Sequence, residues 1–261
     1  MSILCYHSVE KGWNSPLAVE PEIFHRHCSW LVAHRRVVSL REAVTLMDSA
    51  GRLPRGTVAL TFDDGFSGVY HHAFPALLEH GLPATVFLVA ATLTPEGKAI
   101  DWASTPPPDA TTLSLGEILE MQEAGLRFGS HSFDHHDLTS LDPQACEEDL
   151  RKSKELLQAL LGHRVDFLAY PRGLHNAGVR GAARRAGYTH SFSLPEGKEP
   201  VCEFSVPRVV MVPGNGIQTL AAKTSRWYLS GRRSRVFPML RVVARRTGLG
   251  LQLKSSKSRG R

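Results

Sequence analysis

Short β-forming runs alternate with stretches of helical periodicity along most of this chain, and that rhythm limits the folds open to it. The β-rich runs fall at residues 3–9, 57–62, 84–89, 126–129, 165–170 and 188–191. Helical spacing predicts helices over 22–35, 40–49, 69–80, 114–124, 143–161 and 177–186. Several end near a glycine (Gly81, Gly125, Gly162, Gly187), the residue that best tolerates the left-handed conformation of a helix end. Asp142 before Pro143 reads as a cap followed by proline in the first helical turn. Strands joined through helices pair in parallel. The expected class is therefore α/β. Residues 105–112, with three consecutive prolines, are expected to form an irregular loop.

With 261 residues, 42% of them hydrophobic and 21% charged, the chain has the material for one large domain with a sizeable core, and no repeat of fixed period divides it. Cys5, Cys28, Cys146 and Cys202 form neither a CxxC pair nor a tight framework, so they are expected as buried thiols. Charge is unevenly placed. Residues 223–261 hold twelve Lys and Arg and no acid, whereas the remainder carries 19 basic and 25 acidic residues. The expected partition is one folded domain over 1–222 and a basic tail over 223–261.

Within that tail Val236, Met239, Leu240 and Val243 recur at helical spacing, with Arg241, Arg245 and Arg246 mostly off that face. Together with Trp227 and Tyr228 this pattern suits peripheral contact with an anionic membrane better than specific nucleic-acid binding; a solvated terminus fits it as well. The first residues lack a basic segment followed by a long apolar one, and no run approaches the roughly 20 apolar residues of a membrane span. A cytoplasmic protein, peripheral at the inner face of the membrane, is the expectation.

Three segments carry chemistry. Ala59-Leu60-Thr61-Phe62-Asp63-Asp64-Gly65 is an apolar strand that ends in two carboxylates and a glycine, and ligand sites of parallel α/β folds lie at such strand ends. Adjacent carboxylates on extended backbone point in different directions, so one can ligate a metal while the other faces a water. Alone, the tripeptide fits a solvated turn better. His131 and His135, in Gly129-Ser130-His131-Ser132-Phe133-Asp134-His135-His136, stand just past another strand at a spacing that lets two imidazoles converge on one ion; a solvated loop accounts for them equally well. Tyr170-Pro171-Arg172-Gly173 breaks a third strand and exposes backbone N–H groups that can face an oxyanion, as can an ordinary strand-to-helix turn.

In this order the TFDDG, HSxxH and YPxG motifs resemble those of the polysaccharide deacetylases, the NodB-homology or carbohydrate esterase 4 family, over roughly residues 1–215. The resemblance implies a distorted (β/α) barrel with fewer than eight regular units. It further implies a hydrolase that removes N-acetyl groups from a glycan or sugar intermediate of envelope or exopolysaccharide metabolism. Asp64, His131 and His135 correspond to the ligands of one divalent ion, expected to be zinc, and Asp63 to the general base. The family's late Leu-x-His is absent, because no histidine follows His190. The opening Ile3-Leu4-Cys5-Tyr6-His7-Ser8-Val9 instead looks like the first strand of circularly permuted members, which nominates His7 as the general acid. In the third motif Leu168 and Arg172 replace the family's usual arginine and aromatic residue, so the backbone N–H of Arg172 is retained while an arginine supporting Asp63 must come from elsewhere, if at all. Asp101-Trp102 resembles a further family segment loosely. Alternatives on the same site are an O-acetyl esterase and a deformylase of a lipid-linked sugar; a catalytically inactive glycan-binding protein is the alternative from another class.

Overall fold

A computed structural model describes residues 2–103, 106–107, 110–194, 201–225 and 227–232. The expected amphipathic segment around Val236–Val243 lies outside them. The strands are β1 (Ser2–Tyr6), β2 (Ser8–Val9), β3 (Ala18–Val19), β4 (Arg36–Val37), β5 (Thr57–Phe62), β6 (Ala84–Leu88), β7 (Arg127–Ser130), β8 (Phe167–Ala169), β9 (His190–Ser193), β10 (Val206–Pro207) and β11 (Val209–Val210). The helices are α1 (Pro21–His34), α2 (Leu40–Ala50), α3 (Phe74–Glu79), α4 (Leu115–Glu123), α5 (Pro143–Leu161), α6 (Ala177–Arg185), α7 (Ile217–Lys223) and α8 (Tyr228–Arg232).

All nine strands of the main sheet pair in parallel, in the order β10-β9-β8-β7-β6-β5-β1-β11, with β4 also on β5. The two ends of that path, β10 and β11, are separated only by Arg208. The Arg208 N–H donates to Ser193 O on one side, and Met211 N–H donates to Cys5 O on the other. One extended segment therefore bridges the sheet's edges and nearly closes it into a barrel, as the (β/α) expectation required.

Alternation along the strands sorts the core. Leu4, Tyr6, Leu60, Phe62, Val86, Leu88 and Leu168 pack outward against Phe24, Cys28 and Leu31 of α1 and Leu150 and Leu157 of α5. Ile3, Ala59, Phe87, Phe167, Ala169 and Phe192 form a second cluster with Leu40, Ala43 and Val44 of α2. With both faces buried, the strands read as nearly unbroken apolar runs, which is why they were visible in the sequence.

Some boundaries differ from expectation. The run 3–9 is two strands broken at His7, which leaves that residue at the end of β1. The helix expected over 69–80 is a π-turn at Val69–Ala73 followed by α3, because Pro75 has no N–H to continue an α-helical ladder through Phe74. Cys5, Cys28 and Cys146 are buried, but Cys202 is exposed. The boundary after residue 222 falls inside α7: Lys223 is buried and donates to Val210 O and Asn215 Oδ1, and Thr224 is buried beside it. Of the 105–112 loop, Thr112 forms an antiparallel bridge with Phe66.

Candidate metal centre and active site

Because every barrel strand runs the same way, residues that follow β1, β5, β7 and β8 emerge at one rim. These are His7, Asp63 and Asp64, His131, and Arg172. Local backbone geometry marks the same places. Among the described residues, the non-glycine positions with left-handed φ are Asp64 (71°), Ser132 (68°), His135 (58°) and Arg172 (57°). Such conformations cost of order 1–3 kcal/mol each and persist only where surrounding contacts enforce them.

At Ser132 and His135 the enforcing contacts come largely from α5. Asp149, 8% exposed, accepts the N–H groups of Phe133 (2.9 Å) and Asp134 (3.2 Å). One helical turn later Ser153 donates to Ser132 O and hydrogen-bonds Ser130 Oγ, while Ser132 Oγ accepts the His135 N–H. The HSxxH loop is thus held on a polar stripe of one helix. Burial pushes the Asp149 carboxyl up, and the two N–H donors pull it back only in part.

The loop brings His131 and His135 onto Asp64. One donor atom from each lies within 4.8 Å of the others, and all three residues are buried. Asp64 Oδ1 is 3.4 Å from His131 Nε2 and 3.2 Å from His135 Nε2, yet it has no partner in hydrogen-bond geometry. His131 Nδ1 lies 2.8 Å from Ala169 O; a carbonyl only accepts, so Nδ1 carries a proton and Nε2, on the Asp64 side, is the ring nitrogen available to a metal. A ligating histidine normally places its other nitrogen on such an acceptor. One carboxylate, two imidazoles and an orphaned buried oxygen suit a single divalent ion. The charges agree. Burial alone would raise the Asp64 carboxyl, but the two histidines hold it well below the usual range. Burial acts on His131 in the opposite sense to Asp63 and Asp64, which prevail and raise it, whereas burial prevails at His135 and lowers it.

Asp63 faces the barrel interior. Arg208 Nη1 donates to its Oδ1 at 2.6 Å and Nη2 to its Oδ2 at 2.7 Å, a bidentate clamp with both residues buried. Nη1 also donates to Thr61 Oγ1, and the Cys5 thiol donates to Asp63 Oδ2 at 3.3 Å. Burial would raise the Asp63 carboxyl; Arg208, then His131, overcome it and keep the group below its ordinary value. Arg208 is the arginine that the third motif lacks, delivered by the segment that closes the barrel. Sequence reasoning passed over it because Pro207 disguises that segment as loop. Asp149 was missed too, since its partners are backbone groups.

His7 is half-buried, has a donor atom within 4.8 Å of both Cys5 and Asp63, and its Nδ1 is without a partner. Arg172 is exposed at the rim, close enough to help lower His135. The Trp102 ring stacks on His135 with centroids 4.9 Å apart and planes 29° apart, so this tryptophan lies against the centre. His136 groups with Asp134 and Asp149, apart from the trio.

The family description polysaccharide deacetylase matches residues 50–191, more than half of the chain. The chain belongs to the polysaccharide deacetylase family. The matched span holds Asp63, Asp64, His131, His135 and Arg172; His7 and Arg208 lie on either side of it. This deacetylase is 29% identical over 215 residues to the poly-β-1,6-N-acetyl-D-glucosamine N-deacetylase of Staphylococcus epidermidis, covering 78% of this chain and 71% of that protein. The solved structure of Streptococcus pyogenes deacetylase PplD, in complex with acetate, superposes with a TM-score of 0.73 at 26% identity, over 86% of this chain and 98% of that one. IcaB from Ammonifex degensii gives 0.70 at 26% identity, over 86% and 97%. Fold and family thus agree with the barrel and with a metal-dependent hydrolase acting on glycans.

Proposed function

We propose that this polysaccharide deacetylase removes N-acetyl groups from a poly-N-acetylglucosamine-type glycan, with Asp63 as general base and Asp64, His131 and His135 holding one zinc ion. The observation that carries this reading is the Asp63–Arg208 clamp one residue away from the Asp64–His131–His135 trio. A bound zinc ion would supply Lewis acidity toward the amide oxygen and ease deprotonation of the attacking water.

The chain's own groups do the rest. Asp63, kept ionised by Arg208, takes a proton from the water as its oxygen bonds to the acetyl carbon. The backbone N–H of Arg172, turned by the left-handed conformation at the end of β8, faces the developing oxyanion. His7 gives a proton to the nitrogen as the C–N bond breaks, releasing acetate and a glucosamine residue. Trp102, stacked on His135, offers an apolar wall to a sugar ring.

Metal content and acetate release, measured together on N-acetylglucosamine oligomers and on an O-acetylated glycan, test the proposal. Wild type should bind metal and release acetate from the N-acetyl substrate. Asp63→Asn should keep the metal and lose turnover, and His131→Ala should lose both. Full activity in Asp63→Asn sinks the base assignment. Acetate from the ester alone would make the protein an esterase, and metal without turnover on either substrate would direct attention to a formylated lipid-linked sugar or to glycan binding without catalysis.

The basic composition of residues 223–261 and the exposed Trp227 support a proposed peripheral contact with the anionic inner face of a membrane. No helix among the described residues is long and apolar enough to cross one. Flotation with anionic vesicles should fall when the chain is truncated after Thr224; equal flotation of both forms refutes the contact.

A further inference from the structure

On the flank of the barrel, sharing no residue with the rim motifs, His25 of α1 meets Glu79 and His80 at the end of α3. His25 Nε2 is 3.1 Å from Glu79 Oε2, the rings of His25 and His80 stand edge to face with centroids 4.9 Å apart, and one donor atom of each residue lies within 4.8 Å of the other two. The proton on His80 is assigned by its partners. Its Nδ1 is 2.9 Å from Ala76 O, which only accepts, so Nδ1 carries a proton, and Nε2, 2.9 Å from a Ser29 Oγ that donates to His25 O, is the ring nitrogen left to ligate. A carbonyl behind the distal nitrogen is the arrangement that orients a ligating imidazole.

We propose that His25, Glu79 and His80 form a second divalent-metal site, selective for zinc and its borderline neighbours and independent of the central trio. Two imidazoles and a carboxylate suit zinc, copper or nickel rather than magnesium or calcium, which prefer sets of oxygen ligands. Zinc bonds of about 2.0–2.2 Å in a tetrahedral arrangement set donors roughly 3.3–3.5 Å apart. The His25–Glu79 approach, at 3.1 Å, is a few tenths of an ångström tighter than that spacing, and the His25 and Glu79 side chains, 47% and 63% exposed, have room to adjust. His25 and Glu79 also line an open cleft of about 720 Å³, which gives water or an anion access to the remaining coordination positions. The ion would tie α1 to α3 across their shared face.

The test uses the full chain, stripped of metal with a chelator and then equilibrated with zinc, with bound zinc counted per chain by elemental analysis. Two zinc ions are expected in wild type and one in His25→Ala/His80→Ala, which should stay folded with a melting temperature in chelator close to wild type, because His25 is exposed and His80 only partly buried. Asp64→Ala/His131→Ala should also retain one ion, and adding His25→Ala and His80→Ala to it should leave none. The surface variant should keep wild-type deacetylation, and zinc should raise the melting temperature of the central-site variant. Two ions remaining in His25→Ala/His80→Ala, or no zinc in the central-site variant while it stays folded, would overturn the proposal. Loss of the central ion alone would count against the catalytic assignment and leave this one standing.

Discussion

Asp149 permits a quantitative prediction about how α5 positions the metal-binding loop. Replacing it with alanine removes the acceptor of two backbone N–H groups, those of Phe133 and Asp134, in a loop that already holds Ser132 and His135 in left-handed conformations. An unpaired buried N–H costs about 1–3 kcal/mol, so with two of them the loop loses on the order of 2–6 kcal/mol, comparable to the strain it must sustain. Asp149→Asn keeps the volume and one acceptor oxygen and should lose about 1–2 kcal/mol. For a chain of this size that lowers Tm by roughly 2–8 °C. Since His135 must then be reordered whenever metal binds, affinity at the central site should fall by about 10–100-fold. Calorimetric melting of the metal-free protein and competition with a chelating dye read the two effects separately. A lowered Tm with unchanged metal affinity in both variants would show that Asp149 supports the fold alone, and no change in either quantity would refute the reasoning altogether.

Arg208→Met should cost about 3–5 kcal/mol, because it strands the buried Asp63 carboxylate, whereas Arg208→Lys keeps a cation, loses the fork and should fall between wild type and Met in both Tm and deacetylation rate. Gly173→Ala should destabilise more than Gly162→Ala, since the two have nearly the same φ (72° and 71°) but a Cβ at Gly173 would lie 2.5 Å from Leu194 Cβ and N while one at Gly162 meets nothing within 4 Å; equal urea midpoints would contradict this. His27 should confer acid sensitivity. It is held neutral between the Tyr6 hydroxyl and Asn215 O, and burial lowers it from 6.5 to about 4. Between those values the unfolded chain binds the extra proton, so the contribution is complete above pH 6.5 and is lost as pH falls toward 4, by about 3 kcal/mol at most. Urea titrations of wild type and His27→Gln across that window should diverge in slope; parallel curves would exclude the histidine as the source.

Much of the barrel could be read from the chain. Strands buried on both faces appear as apolar runs, as β5 does at residues 57–62, and helices with caps announce their ends, as Asp142 does by accepting the N–H groups of Gln144 and Ala145. The rim motifs were legible for the same local reason: each sits immediately beyond a strand. Features that depend on distant partners were not. Arg208 is 145 residues from Asp63, in a segment of two-residue strands around a proline, and becomes the clamp on the base only because the barrel closes there. Asp149 resembles any acid on an amphipathic helix until α5 packs beneath the HSxxH loop. Local propensity and patterning are properties of neighbours in sequence, so the chain by itself determined its longer strands, most of its helices and the chemical kinds of its rim residues. Which arginine neutralises the base, which helix sustains the strained loop and which histidines approach one another on the flank are settled by contacts made across the fold, and those exist only once the barrel has formed.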